Sequence, residues 1–143
     1  QMVGVGETLG AVADRLGISM LVLAWGLTAM LKIAQGSATV AMITTCDIIR
    51  DALARQLGLS ADQLGAGEMA RLLGYHPIYL VLAIGCGSKI GSWMNDSGFW
   101  VVCRAAYLSE TETLRSWTAG LVLMGLAGLP IVWLLATYWP YPL

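Results

Sequence analysis

Asp96 stands beside Asn95, Ser97 and Gly98 in the middle of an otherwise apolar stretch from Pro77 to Tyr107, and Gly85, Gly87, Ser88 and Lys89 precede this group. In hydrocarbon every backbone amide and carbonyl needs a partner, so a helix is interrupted there only where the break is buried in protein or lines a water-filled cavity. An ionisable residue at that depth is costly to keep and points to a site. Two roles are open to Asp96. It can carry a proton, or Asn95 or Asp96 can cap a short helix starting near Phe99. Burial on one side, and a helix N-terminus or Lys89 on the other, pull its proton affinity in opposite directions. Lys89 can attract a carboxylate substrate, pair with Asp96 or reach a surface. Gly87-Ser88-Lys89 lacks the spacing of a phosphate-binding loop and follows no strand, which excludes nucleotide binding.

A second polar group is the run Gln35-Gly36-Ser37-Ala38-Thr39. It offers an amide, two hydroxyls and a glycine that lets backbone approach a ligand closely. If Thr39 opens a helix, the unpaired amides and partial positive charge there suit an anion. The alternative is that these small residues only let two helices pack.

The elements that must position these groups follow from the apolar pattern. Leu16 to Ala34 is a 19-residue run whose single charge is Lys32, close to the ~20 residues needed to cross hydrocarbon. Lys32 near its end is expected to snorkel towards the headgroups. Val40 to Cys46 is apolar but too short to cross, and it grades into Asp47, Arg50, Asp51 and Arg55. A re-entrant helical hairpin over residues 16–57, with its polar tip at Gln35 to Thr39, fits better than two full spans. Residues 58–74 form an interfacial connector, where Ser60 and Gln63 are spaced as a capping box for a short helix running on through Leu73. Tyr75 to Tyr107, 33 residues, is too long for one straight span and divides at Gly85 to Gly98 as a discontinuous helix. His76, before Pro77, is read as a headgroup-level residue. Ser109 and Glu112 form a further capping pair. Ser116 to Tyr138 is then a 23-residue span without charge, with Tyr138, Trp139 and Tyr141 at a headgroup belt and Pro140 and Pro142 ending the helix. The terminal transmembrane helix is placed at residues 116–139. Arg104 and Arg115 argue for one orientation, and Arg50, Arg55 and Arg71 for the other, so topology stays open.

Hydrophobic residues make up 57% of the chain and charged residues 12%, and mean hydropathy is +0.71; soluble domains carry about 25% charged residues. An all-α membrane protein follows. The net charge of −1, with no basic stripe, excludes nucleic acid as a partner. Cys46, Cys86 and Cys103 show no disulfide or zinc spacing and read as small buried hydrophobes. No metal site or cofactor is expected. The residues assemble no nucleophile, base and orienter, and no paired carboxylates, so an enzyme is not expected. The chain opens on Gln1 without a visible signal peptide and reads as a fragment, with no sign of a second, soluble domain.

Ile33-Ala34-Gln35-Gly36-Ser37-Ala38-Thr39-Val40-Ala41, and Gly87-Ser88 followed by Trp93-Met94-Asn95-Asp96-Ser97-Gly98-Phe99-Trp100, resemble segments of the gluconate permease family, the gluconate:proton symporters. Glu112-Thr113-Leu114 and Ser116-Trp117-Thr118 resemble that family's link into its last helix. The resemblance runs in order over most of the chain. It implies a multi-pass transporter of the bacterial inner membrane that carries gluconate or a related sugar acid or hydroxy acid with protons, this chain being its C-terminal portion within a single membrane domain. It also implies half of an inverted-repeat architecture, in which hairpin tip and helix break meet at the substrate. Carried over, Gln35, Gly36, Ser37 and Thr39 of the tip and Ser88, Asn95, Asp96 and Ser97 of the break form half of a substrate site. Asp96 is then the proton-coupling candidate, and Lys89 a residue that tunes which acid is carried. Partners are the acid anion, protons, the lipid bilayer and the rest of the transporter chain; a homo-oligomer stays open. The rival reading is a non-transporting membrane subunit or scaffold whose polar tips only pack helices.

Overall fold

The computed structural model describes residues 19–139, which are organised by helices with no strand among them. Helix α1 (Met20–Gln35) and helix α2 (Ala38–Gln56) pack against each other and are joined by only Gly36 and Ser37. The turn is that short because each of its residues completes one helix. Gly36 adopts the left-handed conformation (φ 76°) and its amide donates to the Lys32 carbonyl, closing α1, while Ser37 caps α2 by accepting from the Val40 amide.

With 16 residues, α1 is about 24 Å long, short of the ~30 Å of hydrocarbon. The expected run began at Leu16, but Leu16, Gly17 and Ile18 lie outside the described residues. In α2, Ala41, Thr45, Ile49, Ala52 and Leu53 are buried at helical spacing, whereas Asp47, Arg50, Asp51 and Arg55 are exposed. Across the hairpin the buried Thr28 hydroxyl donates to the Ala24 carbonyl at 2.7 Å and meets Thr45 at 3.1 Å.

The connector departs from expectation. Gln63 does accept from the Ser60 amide at 3.2 Å, but the structure it opens is one 3-10 turn, Ala61–Gln63. A second start then competes: Glu68 accepts from the Gly65 amide at 2.7 Å and opens helix α3 (Ala66–Leu73). Two caps so close in sequence, the second on a glycine of low helix propensity, give two short elements instead of one helix.

Helix α4 (Pro77–Gly87) begins at His76, whose Nδ1 accepts from the Ile78 amide at 3.1 Å, with Pro77 supplying the favoured φ of a first helical residue. It meets α3 at a bend of 80°. The long apolar run divides as its polarity predicts: α4 stops at Gly87, residues 88–96 leave the helix, and helix α5 (Ser97–Ala105) follows. Helix α5 closes through Tyr107 in the left-handed region (φ 53°), with Leu108 donating to the Cys103 carbonyl at 3.0 Å and Tyr107 to Arg104 at 3.3 Å.

Ser109 and Glu112 cap each other, with the Ser109 amide donating to Glu112 Oε2 at 2.8 Å, and start helix α6 (Glu110–Thr113). That helix passes through a π-turn at Leu114–Thr118 into helix α7 (Ala119–Tyr138). The terminal helix therefore starts at Glu110, six residues before the apolar run that suggested it. It is the one helix among the described residues that is by itself long and apolar enough to cross a membrane. Pro140, Tyr141 and Pro142, expected to end it within a headgroup belt, lie outside the described residues.

The core forms where α1, α2, α4 and α7 converge on Leu21, Ala24, Ile49, Leu53, Ala83, Ile84 and Val132. Glycines let the backbones touch. A Cβ at Gly87 would overlap the Trp25 carbonyl of α1, and one at Gly128 the Cys86 thiol. The three cysteines are free thiols; Cys103 is buried as expected, while Cys46 and Cys86 are only half-buried. Leu123, Met124, Ile131, Trp133 and Leu134 of α7 are exposed, an apolar surface suited to hydrocarbon or to further protein.

Candidate functional site

The break wraps over the C-terminal end of α1. Ile33 carries one of the carbonyls that a helix end leaves unpaired, and Asn95 Nδ2 donates to it at 2.7 Å, with Trp93 Nε1 at 3.4 Å. A Cβ at Gly36 would overlap the Asn95 carbonyl, and one at Gly91, itself left-handed at φ 76°, would overlap the Ile33 side chain. Two glycines thus permit the contact between tip and break.

One ion pair fixes it. Lys32 Nζ lies 2.7 Å from Asp96 Oδ2 and donates to the Gly36 carbonyl at 2.8 Å, with the lysine side chain 2% exposed and the aspartate 17%. Ser92, itself buried, donates its hydroxyl to Asp96 Oδ2 at 2.5 Å, and the Gly98 amide donates to Oδ1 at 3.0 Å. Asp96 accepts at every one of these contacts, the behaviour of a carboxylate, and it is the N-cap of α5. Thr118 of the π-turn donates to the Ser92 carbonyl at 2.5 Å and ties the break to the base of the last helix.

Most of the residues expected at the site surround this meeting. Gln35 is exposed at the end of α1, Gly36 is buried against Asn95, Ser37 caps α2, and Thr39 is exposed in the first turn of α2. Asn95 and Ser97 are exposed on either side of Asp96. Ser88 is different: it is 1% exposed and its hydroxyl donates to the Gly85 carbonyl of the preceding helix α4 at 2.7 Å. Lys89 is exposed, and the partner of Asp96 is Lys32. Lys32 does not snorkel. Its stem runs within the fold because the Gly36 carbonyl and the Asp96 carboxylate both await its ammonium at the helix end.

The sequence matches the model of the GntP family permeases over residues 1–138. The chain belongs to the GntP permease family. Among its relatives are a gluconate permease of Pseudomonas aeruginosa, 36% identical over 133 residues (93% of this chain, 26% of that protein), and one of Bacillus subtilis, 35% identical over 133 residues (93% and 26%). The Gnt-II system L-idonate transporter of Escherichia coli K12 is 34% identical over 126 residues, 88% of this chain and 25% of that protein. The chain spans about a quarter of the length of the curated relatives it matches. No solved structure matches it. A GntP permease is a membrane transporter and not an enzyme, in agreement with the apolar composition.

Lys32 and Ser92 are the participants that the residue pattern left unassigned. A signal was present for Lys32, which lies four residues, one helical turn, before Gly36, whereas Ser92 sits in the non-helical break and had none. Lys32 is also the sole charge of its apolar run.

Proposed function

We propose that this chain forms the C-terminal part of a GntP carrier that takes up gluconate or a related sugar acid or hydroxy acid across the bacterial inner membrane together with protons, and that tip and break hold the anion. In this reading residues 16–57 are a re-entrant arm, residues 75–107 a discontinuous helix and 116–139 a full span, together one half of an inverted repeat in a multi-pass protein. The observation that carries it is the meeting of the α1–α2 turn with the break, where Gly36 touches Asn95, each one residue before the cap of a helix, beside a buried ammonium. Helix N-termini and a buried cation are the means by which a membrane protein holds an anion away from water. The exposed polar groups at that meeting, Gln35, Thr39, Asn95 and Ser97, suit the hydroxyls of a sugar acid. Asp96 is the proton-coupling residue, and the exposed Lys89 contributes to the choice of acid. The relatives named for gluconate and for L-idonate support an acid substrate.

In the full-length carrier, gluconate should protect cysteines introduced by Ser37→Cys and Ser97→Cys from alkylation. Thr39→Ala and Asp96→Asn should each lower proton-driven uptake of labelled gluconate at least about tenfold. Unchanged uptake in both, with no protection, would instead favour a scaffold whose polar tips only pack helices.

A further inference from the structure

We infer that Lys32 is the cation that receives the substrate carboxylate, and that Asp96 is a built-in carboxylate which holds this lysine when substrate is absent and takes a proton when substrate displaces it. The inference rests on the anion site proposed above and supplies its coupling device. Lys32 has three N–H donors and the described residues engage two of them, through Gly36 and Asp96. The Asp96 carboxylate, at the N-terminus of α5 and against an ammonium, occupies the position that suits an incoming carboxylate.

Charge balance then links anion and proton. Lys32 and Asp96 form the one ion pair among the described residues, and together they are neutral. A second carboxylate on Lys32 would leave a net negative charge at a site shielded from water, which is strongly unfavourable. If Asp96 takes one proton from water as the acid anion arrives, the Lys32 ammonium is unchanged and the loaded site is again neutral. Among the described residues the surrounding elements offer no substitute charge. Lys89 in the break, Asp47 on α2, Arg104 on α5, Glu110 and Glu112 on α6 and Arg115 in the π-turn are all exposed, and α4 carries only the thiol of Cys86 and the phenol of Tyr79, which donates to the Trp139 carbonyl. Ser92 then keeps a hydrogen bond to Asp96 in either protonation state, since a hydroxyl both donates and accepts.

The test is gluconate binding to the purified full-length carrier as a function of pH. For the unmodified protein, Kd should rise about tenfold per pH unit on the alkaline side, with one proton taken up per anion bound. Asp96→Asn should bind gluconate with no pH dependence and exchange it across vesicles without accumulating it. The neutral pair Lys32→Gln/Asp96→Asn, which buries no unpaired charge, should fold yet bind at least about tenfold more weakly. A pH-independent Kd in the unmodified carrier, or wild-type binding and pH dependence in the neutral pair, overturns the inference and leaves the anion site standing. Absence of gluconate binding to the unmodified carrier at every pH overturns both.

Discussion

Gly36 shows how much one position can decide at the residue scale. Its φ of 76° lies in the region that side chains rarely adopt, and a Cβ there would also strike the Asn95 carbonyl. Gly58 has a similar φ of 67° but open space around it. Gly58→Ala therefore tests backbone strain alone, of about 1 kcal/mol, whereas Gly36→Ala adds the loss of the tip–break contact. Thermal unfolding of the full-length carrier should show a clearly larger fall in Tm for Gly36→Ala. Equal shifts would mean that the two backbones do not touch so closely. Lys32 illustrates the complementary case, a side chain whose role depends on where its head group ends. Its stem is long enough to reach a membrane surface, yet two acceptors near the end of its own helix hold it inside.

At the scale of elements, capping chemistry explains where the helices begin and end more than apolar content does. Ser37, His76, Asp96 and Ser109 each start a helix by accepting from a backbone amide. In the connector two such starts compete, and one expected helix becomes two short pieces. Helix α5 carries the least favourable end, because Tyr107 holds a left-handed conformation usually given to glycine and is 94% exposed. Tyr107→Gly should relieve about 1 kcal/mol of that strain without removing a buried contact. The expected result is a raised Tm with unchanged gluconate binding. A lowered Tm would show that the tyrosine ring packs on part of the carrier beyond this chain.

The described residues bring a polar turn and a polar break together within an apolar body. Helices α1, α4 and α7 pack through glycines and small residues, and α7 turns large apolar side chains outward. Such a surface requires hydrocarbon or more protein to cover it. The chain also spans about a quarter of its relatives, 26% of the gluconate permease of P. aeruginosa. On the inverted-repeat reading it holds only one half of the site. The 143-residue chain reconstituted alone in vesicles should accumulate no gluconate under an inward proton gradient, whereas the full-length carrier should. Accumulation by the chain alone would require a complete site within these residues, formed by a second copy of the chain if not by one.

Local chemistry was legible in the residues themselves. The polar tip between two helices, the interruption of the long apolar run, the Ser109–Glu112 cap and a cap at Asn95 or Asp96, which the structure gives to Asp96, all depend on neighbours within a few positions. Backbone hydrogen bonding and apolar burial act at that range. The length of α1, the double start of the connector and the beginning of the last helix at Glu110 were decided by caps competing across the apolar pattern. What only the tertiary structure decided is which charges meet. Asp96 lies seven residues from Lys89 and 64 from Lys32, and it pairs with Lys32. Packing α1 beneath the break excludes water from that lysine but leaves Lys89 in contact with its surroundings. An ion pair forms where burial leaves a charge no other partner, and burial is a property of the assembled fold.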